Sequence, residues 1–334
     1  MKNNFFIAAA VMISSAMAAS CSGWTEPEAL DYGAYGNPAG KSEQYLEALR
    51  SFKLIDHKVV ILRMDGTSSQ PVSRSQHIMA MPDSADFICV VVSDGLHSSV
   101  ASEISSVREQ KGTRCVSYVD FNSIQDIWTE LEDSRPSDQP AGTAGDFAAF
   151  CLEETKSRLE YCDMYGFDGI MFSFQGNISS EMSAAGQSAF LDAIEEWRLT
   201  HQDALMFARG SLSNIAEDRR DILYDCDYTI LVSTTEASAG QLNTFAGRYA
   251  RTEGVPVDRI VIEVAVASEA DPEPACATPQ TAASWTMAPA EDYAKCGICI
   301  GNAADDYFAG STFRNIRSAI TILNPEDSQD NDRI

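Results

Sequence analysis

The chain has few positive charges and few histidines. Its 334 residues include 24 Lys and Arg against 49 Asp and Glu, so the formal net charge is −25, and only 4 residues are His. A surface of this sign repels the phosphates of nucleic acids and of anionic lipids, and we expect no nucleic-acid partner. Neutral or cationic ligands are compatible with it, and so is a well-solvated surface with no role in binding.

Sequence motifs of several hydrolase and cofactor-binding classes are also missing. The chain contains neither a Gly-x-Ser-x-Gly nucleophile elbow nor a His-Glu-x-x-His zinc pair, and no Gly-rich phosphate loop follows its first predicted strand. Cys296 and Cys299 have the spacing of a metal-binding pair, but the sequence near them holds no second pair and no His. We therefore expect no cofactor, no metal, and neither a serine nor a zinc hydrolase.

A long apolar run occurs only at the amino terminus. Lys2 precedes an apolar segment over residues 5–13, which is too short to span a bilayer and is typical of an export sequence. The next residues, Ala18-Ala19-Ser20-Cys21, resemble a bacterial lipobox, in which the cysteine is acylated. The sequence predicts a signal peptide over residues 1–20 and a membrane-attached lipid at Cys21, hence an outer-membrane lipoprotein; display at the cell surface stays open. The alternative is ordinary cleavage after Ala18, which would leave Cys21 a plain thiol.

Eight further cysteines follow Cys21. Their number is even, and an exported protein can form disulfides. Four of them lie in apolar strand-like or helical runs, which suits small buried hydrophobic side chains equally well. The sequence leaves open whether they pair. They are Cys89, Cys115, Cys151, Cys162, Cys226, Cys276, Cys296 and Cys299.

Short β-rich runs alternate with helical patterns along most of the chain, as in parallel βα units. Predicted strands are Lys58–Leu62, Phe87–Ser93, Arg114–Asp120, Gly169–Phe174, Ala204–Ala208, Tyr228–Ser233, Ile260–Ala265 and Gly297–Gly301. Predicted helices are Ser98–Gln110, Asp146–Met164, Ala184–Leu199, Asn214–Leu223, Gly240–Thr252, Ala290–Ala294 and Thr312–Leu323. Eight strands with intervening helices favour an α/β fold of one domain, a (β/α)₈ TIM barrel.

The expected limits are a lead-in over residues 21–50, the barrel over residues 51–325 and a polar tail over residues 326–334. Two stretches rich in Pro and polar residues interrupt the alternation, Asp133–Gly145 and Ser268–Pro289. On a barrel each would lie over the C-terminal rim, where loops shape the ligand groove.

The fourth predicted strand carries the functional argument. Residues 165–176 have the sequence Tyr-Gly-Phe-Asp-Gly-Ile-Met-Phe-Ser-Phe-Gln-Gly. This resembles the fourth barrel strand of glycoside hydrolase family 18, which carries Asp-Gly-x-Asp-x-Asp-x-Glu with its carboxylates directed into the barrel. Only Asp168 matches an acid of that motif. Met171 and Ser173 occupy the next two Asp positions, and Gln175 occupies the position of the proton-donating Glu.

The resemblance covers most of the chain. Residues 295–301 and 317–325 are similar to the last strand and helix of the family 18 lipoproteins of Bacteroidetes glycan-utilisation systems, and the opening from Cys21 to Glu26 is similar too. That family includes endo-β-N-acetylglucosaminidases that act on N-glycans, alongside members that have lost activity. The resemblance therefore implies a chitinase-type barrel whose ligand is a glycan containing N-acetylhexosamine.

The same resemblance implies that ordinary hydrolysis is lost. A family 18 enzyme protonates the glycosidic oxygen with a carboxylic acid of raised pKa, and a neighbouring Asp orients the N-acetyl group as internal nucleophile. Gln175 has no titratable proton and Ser173 carries no charge, but an amide can still hydrogen-bond a sugar. We therefore predict a non-catalytic glycan-binding lipoprotein. Two alternatives stay open: an endoglycosidase whose acid has moved to Glu236, Glu263 or Asp120, and a scaffold in an outer-membrane transporter complex.

Strand alternation and proximity to strand ends select candidate ligand residues. Met171 is predicted to point into the barrel and fill its core. Ser173 and Gln175 lie on the same face of the strand, nearer the C-terminal end of the barrel. Trp285 and Tyr307 are candidates for stacking on sugar rings, because sugars place their apolar faces on aromatic rings. The remaining candidates for polar contacts are Asp168, which is otherwise a structural acid, and Asp120, Asn122, Arg209 and Asn302.

Overall fold

The computed structural model describes residues 42–325, whose eight strands form a closed parallel barrel in sequence order. The strands are β1 (Val59–Asp65), β2 (Phe87–Val91), β3 (Arg114–Asp120), β4 (Gly169–Phe174), β5 (Leu205–Gly210), β6 (Tyr228–Val232), β7 (Ile260–Val264) and β8 (Lys295–Ile300). β8 closes the barrel on β1, with Val59 opposite Gly297. The predicted (β/α)₈ barrel is confirmed, and every predicted strand is present with bounds shifted by at most a few residues.

Helices cover the outside of the barrel. They are α1 (Glu43–Phe52), α2 (Ser98–Lys111), α3 (Phe121–Asp133), α4 (Ala144–Tyr165), α5 (Glu181–Thr200), α6 (Ala239–Ala250), α7 (Pro279–Met287) and α8 (Arg314–Leu323). Short 3₁₀ segments lie at Arg74–Gln76, Ile78–Ala80, Leu212–Asn214, Glu217–Asp225 and Ala303–Phe308. Within residues 42–325, no helix combines the length and apolar composition needed to cross a membrane. The expected signal peptide, Cys21 anchor and tail lie outside the described residues.

Most predicted helices are confirmed, and the differences have local causes. The prediction at Ala290–Ala294 is wrong: the helix before β8 is α7, inside a stretch predicted to be a loop, where Thr278 caps it and Pro279 suits its first turn. Between β5 and β6 the predicted helix is replaced by 3₁₀ segments. The sequence also missed α3, because Asp120 both ends β3 and accepts a hydrogen bond from Ser123 N as the helix cap, so no loop marks the boundary.

Apolar side chains that point inward fill the lower part of the barrel. Phe87 meets Phe207 edge to face with ring centroids 5.1 Å apart, and Phe207 packs on Tyr228 at 5.4 Å. The layer also contains Val59, Ile61, Cys89, Val116, Met171, Leu205, Ile230, Val261 and Cys299. This packed interior makes the barrel a core rather than a pore, so a ligand can approach only the ends.

All eight cysteines among the described residues are free, seven of them buried and Cys296 half-buried. They pack as small hydrophobic side chains. Burial raises the pKa of Cys89 to about 12, and it does the same for Cys151 and Cys162. These thiols are therefore protonated and unreactive at neutral pH.

A histidine and a carboxylate pair at the amino end of the barrel. Nε2 of His57 lies 2.9 Å from Oδ1 of Asp86, and Oδ2 of Asp86 accepts from the backbone N–H of Val60 at 2.8 Å. The side-chain hydrogen bond to Asp86 raises the pKa of His57, although burial acts in the opposite direction. The pair ties the segment before β1 to the segment before β2.

We expect His57→Gln to lower the free energy of unfolding more at about pH 5 than at about pH 9. A group whose folded pKa is raised contributes stability that is fully present below its unfolded pKa, near 6.5, and is lost as the pH rises through the folded value. Urea unfolding at both pH values measures this. His97→Gln is the control, because His97 has no carboxylate partner among residues 42–325. A loss that grows with rising pH would contradict the assignment.

Candidate functional site

Five polar side chains converge inside the carboxyl end of the barrel. Each lies two positions beyond an apolar interior residue of the same strand, so the strand period directs it inward. They are Arg63 on β1, Tyr118 on β3, Ser173 on β4, Arg209 on β5 and Glu263 on β7. Two guanidinium groups, one carboxylate and two hydroxyl groups are thereby gathered above the apolar layer.

A buried ion pair between Arg209 and Glu263 is the centre of this cluster. Nε of Arg209 donates to Oε2 of Glu263 at 2.7 Å, Nη2 donates to Oε1 at 2.6 Å, and both side chains are 5% exposed. Nη1 of Arg209 donates to Oη of Tyr118 at 3.0 Å and to Oγ of Ser173 at 3.1 Å. Nη2 of Arg63 lies 3.7 Å from Oε1 of Glu263. The geometry is the two-pronged arrangement that strengthens Arg–carboxylate pairs.

The charges of the pair stabilise one another. Burial by itself would raise the pKa of Glu263, but the guanidinium groups of Arg209 and Arg63 hold that pKa below its usual value. Burial would likewise lower the pKa of Arg209, and Glu263 reverses the direction. The thiol of Cys299 donates to Oε2 of Glu263 at 3.5 Å, and burial raises its pKa. Glu263 is therefore an ionised acceptor and not a proton donor at neutral pH.

Gln175 lies directly above this cluster, one residue past β4. With its amide oxygen toward Arg209, the side chain accepts hydrogen bonds from Nη1 and, at 3.2 Å, from Nη2. Its amide nitrogen then faces away from the guanidinium. Its backbone is held by Asn122, whose Oδ1 accepts from Gln175 N at 2.9 Å and whose Nδ2 donates to Gln175 O at 2.5 Å.

Three rim asparagines, Asn122, Asn214 and Asn302, link the loops that follow neighbouring strands. Asn302 pairs with Val266 as Asn122 pairs with Gln175: its Oδ1 accepts from Val266 N at 2.8 Å and its Nδ2 donates to Val266 O at 2.9 Å. Asn214 donates from Nδ2 to the carbonyl of Gly176 at 2.6 Å. The side-chain amides continue the hydrogen-bonding pattern of the strands past the strand ends. Asn122 and Asn302 therefore use their amide groups, which were predicted to contact a ligand, to position the rim.

The structure separates the other candidates. Asp168 precedes β4 at the amino end of the barrel, where its carboxylate lies 2.7 Å from Nε of Arg108 and accepts from Cys115 N at 2.8 Å. Trp285 is buried in α7 and donates to Asn243, away from the barrel mouth. Neither Asp168 nor Trp285 is therefore placed to contact a ligand in the groove, and Asp168 is the structural acid that was predicted as its alternative role. Tyr307 lies on the carboxyl side, half-buried against Phe308 and Phe313.

Carboxyl groups elsewhere on the carboxyl side have structural partners. Asp120 caps α3 and accepts from Oη of Tyr118 at 3.2 Å. Burial acts to raise the pKa of Glu236, but hydrogen bonds from Thr235 and Ser233 hold it below its usual value. Burial raises the pKa of Asp306, yet that side chain is fully buried and accepts from Ile316 N at 2.8 Å at the start of α8. Glu236 is therefore not the acid of raised pKa that the reaction needs, and Asp306, whose pKa is raised, is not open to a sugar.

A cleft of about 390 Å³ adjoins Gln175 on the side of β5 and β6. We call it the Gln175 cleft. Its lining includes Gly210, Ser211, Ser213, Asn214, Leu231, Thr234, Phe245 and Arg248. Its volume falls in the range of about 300–1,000 Å³ found for small-molecule sites. Among residues 42–325, no group of three or more His, Cys, Asp and Glu side chains is arranged to hold a metal ion.

A family model described as glycoside hydrolase family 18, BT1044-like, matches residues 25–322. The chain belongs to this family. Any hydrolysis it performs would be that of a glycoside hydrolase. The search of curated proteins gave no match.

Solved family 18 structures share the barrel. The endo-β-N-acetylglucosaminidase from Cordyceps militaris has a TM-score of 0.60 at 15% identity and covers 87% of this chain and 99% of its own. A BT1044 variant has a TM-score of 0.60 at 13% identity, with 85% and 93% covered. A family 18 chitinase from Pseudoalteromonas aurantia has a TM-score of 0.55 at 10% identity, with 80% and 100% covered. At these identities the likeness shows the fold, and the sequence motif must be judged on its own residues.

In this family 18 barrel, Met171 is fully buried in the apolar layer as predicted, and Ser173 and Gln175 contact Arg209. Sequence reasoning missed Arg63, Tyr118 and Asn214. The alternation Val59-Ile61-Arg63 and Val116-Tyr118 could have placed the first two inside the barrel. No local pattern marks Asn214, because its partner lies in another loop.

We expect Glu263→Gln to lower the free energy of unfolding of the family 18 barrel by about 3 kcal/mol, because it leaves the buried charge of Arg209 without a counter-charge. Urea unfolding measures it. Glu269→Gln, exposed in the loop after the same strand, removes an equal charge and should cost less than about 0.5 kcal/mol.

The double variant Arg209→Met/Glu263→Met separates the contribution of the ion pair to the free energy of unfolding from the contribution of side-chain packing. Because it removes both charges, it should be more stable than Glu263→Gln alone. Wild-type stability in Glu263→Gln would contradict the role given to the pair.

Proposed function

We propose that this chain is a glycan-binding protein that uses a family 18 barrel and has lost hydrolysis. It holds N-acetylglucosamine-containing glycans at the carboxyl end of the barrel, around Gln175. One observation carries the proposal: the side-chain amide of Gln175, which the sequence resemblance aligns with the family's proton donor, faces the Arg209 guanidinium.

The charges at the barrel mouth support the loss of hydrolysis. Glycoside hydrolysis passes through a transition state with positive charge on the sugar ring. Negative groups below the sugar stabilise that charge, and positive groups oppose it. Here Arg63 and Arg209 outnumber Glu263, and the hydroxyl of Ser173 is bound to Arg209. The five-residue cluster is net positive where the reaction requires negative charge, and the carboxyl group of Asp120 beside it is engaged with Tyr118 and the start of α3.

The same arrangement supports binding. Because the amide oxygen of Gln175 faces Arg209, its NH₂ group is left to donate to a sugar oxygen. Asn122 fixes its backbone before a ligand arrives, which lowers the entropy cost of binding. A double variant of the Cordyceps militaris enzyme, with a TM-score of 0.59, is in complex with fucosyl-N-acetylglucosamine-Asn, which makes such glycans suitable first probes.

Isothermal titration with N-glycans, mucin glycans and chitin oligomers should give heat with at least one N-acetylglucosamine-containing ligand. We expect Gln175→Ala to weaken that binding roughly two- to tenfold, the value of one neutral hydrogen bond. Gln202→Ala, at an exposed Gln on the amino side before β5, should bind like the wild type.

The absence of heat with every glycan would refute the binding role. If the protein also co-purified with an outer-membrane transporter, the scaffold alternative would be favoured. Release of sugar from a glycoprotein by the wild type, abolished by Asp120→Asn or Glu263→Gln in folded protein, would favour the relocated acid.

We expect that Gln175→Glu alone does not restore hydrolysis. A carboxylate at this position would face the Arg209 guanidinium, which would hold its pKa low and keep it ionised, whereas the reaction needs a protonated acid. Endoglycosidase assays on a glycoprotein and on chitin oligomers test this. Turnover by this single variant above the level of Gln175→Ala would contradict the electrostatic argument.

We also propose, from the sequence, that the protein is exported and attached to the outer membrane by a lipid on Cys21. Metabolic labelling with a radioactive fatty acid should label the wild type and not Cys21→Ser, with Cys296→Ser as a control that keeps the label. Labelling that persists in Cys21→Ser would refute the anchor.

A further inference from the structure

We propose that the Gln175 cleft binds an acidic sugar residue and that Arg248 recognises its anionic group. The inference rests on the proposed glycan-binding function and names the ligand class. The anion is a carboxylate or a sulfate carried on a pyranose ring. Such groups share the planar or fork-like oxygen pattern that a guanidinium binds with two hydrogen bonds.

The cleft begins at Gln175 and extends over the end of β5. Gly210, the last residue of β5, has a φ of +118°, and a Cβ at this position would lie 2.2 Å from the carbonyl oxygen of Phe174. The chain can therefore turn here only without a side chain, and the loop after β5 starts in close contact with Gln175, beside the space of the cleft. A glycan held at Gln175 can place a neighbouring sugar in this space.

The walls of the cleft suit a sugar. Leu231 and Phe245 supply apolar surface, and Ser211, Ser213 and Thr234 add hydroxyl groups. A pyranose ring has the same two kinds of surface, apolar C–H faces and a polar edge of hydroxyl groups. Mixed surface of this kind is poorly suited to a purely apolar ligand.

The charge in the cleft is of one sign. Arg248 lies exposed in the last turn of α6, and its guanidinium has no hydrogen bond or ion pair with any residue from 42 to 325. None of the described residues that line the cleft is an Asp or a Glu. By contrast, Arg219 pairs with Asp192 at 2.8 Å and Arg209 pairs with Glu263. In a chain with a net charge of −25, an unpaired guanidinium beside an acid-free cleft is a specific feature that a ligand anion would complete.

One wall of the cleft is fixed without ligand. Arg220 donates to three backbone carbonyls, those of Ile215 at 3.0 Å, Ser213 at 2.9 Å and Glu253 at 2.7 Å. Asn214 adds its hydrogen bond to Gly176. These contacts hold the loop after β5 between β4 and the segment before β7. Binding then needs little ordering of the protein, which favours selectivity for one sugar shape.

The test compares matched acidic and neutral probes by titration calorimetry. The pairs are sialyllactose and lactose, a glucuronate-containing disaccharide and its glucose analogue, and sulfated and unsulfated N-acetylglucosamine. We expect at least one acidic member to bind about tenfold or more tightly than its neutral partner, as a charge-assisted hydrogen bond provides, and the responding pair identifies the source of the anion. Arg248→Gln should abolish the preference, and Arg251→Gln, one helical turn on and outside the cleft, should keep it.

Four outcomes decide the proposal. An acidic preference lost in Arg248→Gln and kept in Arg251→Gln supports it. Equal binding of both members of every pair overturns it, while the glycan-binding function stands if Gln175→Ala still weakens neutral binding. An acidic preference that survives in Arg248→Gln also overturns it. No binding of any sugar removes this inference together with the function on which it rests.

Discussion

The carboxyl end of the barrel depends on the buried pair of Arg209 and Glu263. Both charges are out of water, so each needs the other, and the three remaining polar partners are placed by the orientation of the guanidinium. Gly301 leaves room for the pair, because a Cβ there would lie 2.5 Å from Oε1 of Glu263. The pair thus orients the hydroxyl of Ser173 and the side-chain amide of Gln175, and with them the chemistry that the mouth can perform.

The pair and the rim asparagines act on different parts of the same site. The pair fixes side chains inside the barrel, and the rim asparagines fix the backbone just outside it, at Gln175, Gly176 and Val266. Side-chain amides are suited to this because each offers a donor and an acceptor that match a backbone pair. A rigid rim with a neutral amide at its centre can select a ligand by shape and hydrogen bonding without a titratable group.

Much of the fold was accessible from the sequence, since buried strands and amphipathic helices leave clear periodic patterns. The inward direction of Met171 and Ser173 followed from strand alternation alone. The site was harder to predict, because its contacts join residues far apart in the chain. Arg209 and Glu263 are 54 positions apart, and Asn302 and Val266 are 36 positions apart. Trp285 was misplaced because the cap at Thr278 starts a helix within a Pro-rich stretch.

An acidic chain that binds an acidic sugar is consistent with the range of electrostatic forces. At physiological salt, exposed charges farther apart than about 8 Å are largely screened from one another. The net charge of −25 therefore opposes a polyanion that would lie along the surface, but it acts weakly on one anionic group inside a cleft whose described lining contains no carboxylate. There the nearby guanidinium of Arg248 dominates. Under the proposed function, the overall charge would act as a filter: it repels the phosphates of nucleic acids and of anionic lipids, while a glycan with one acidic residue could still bind.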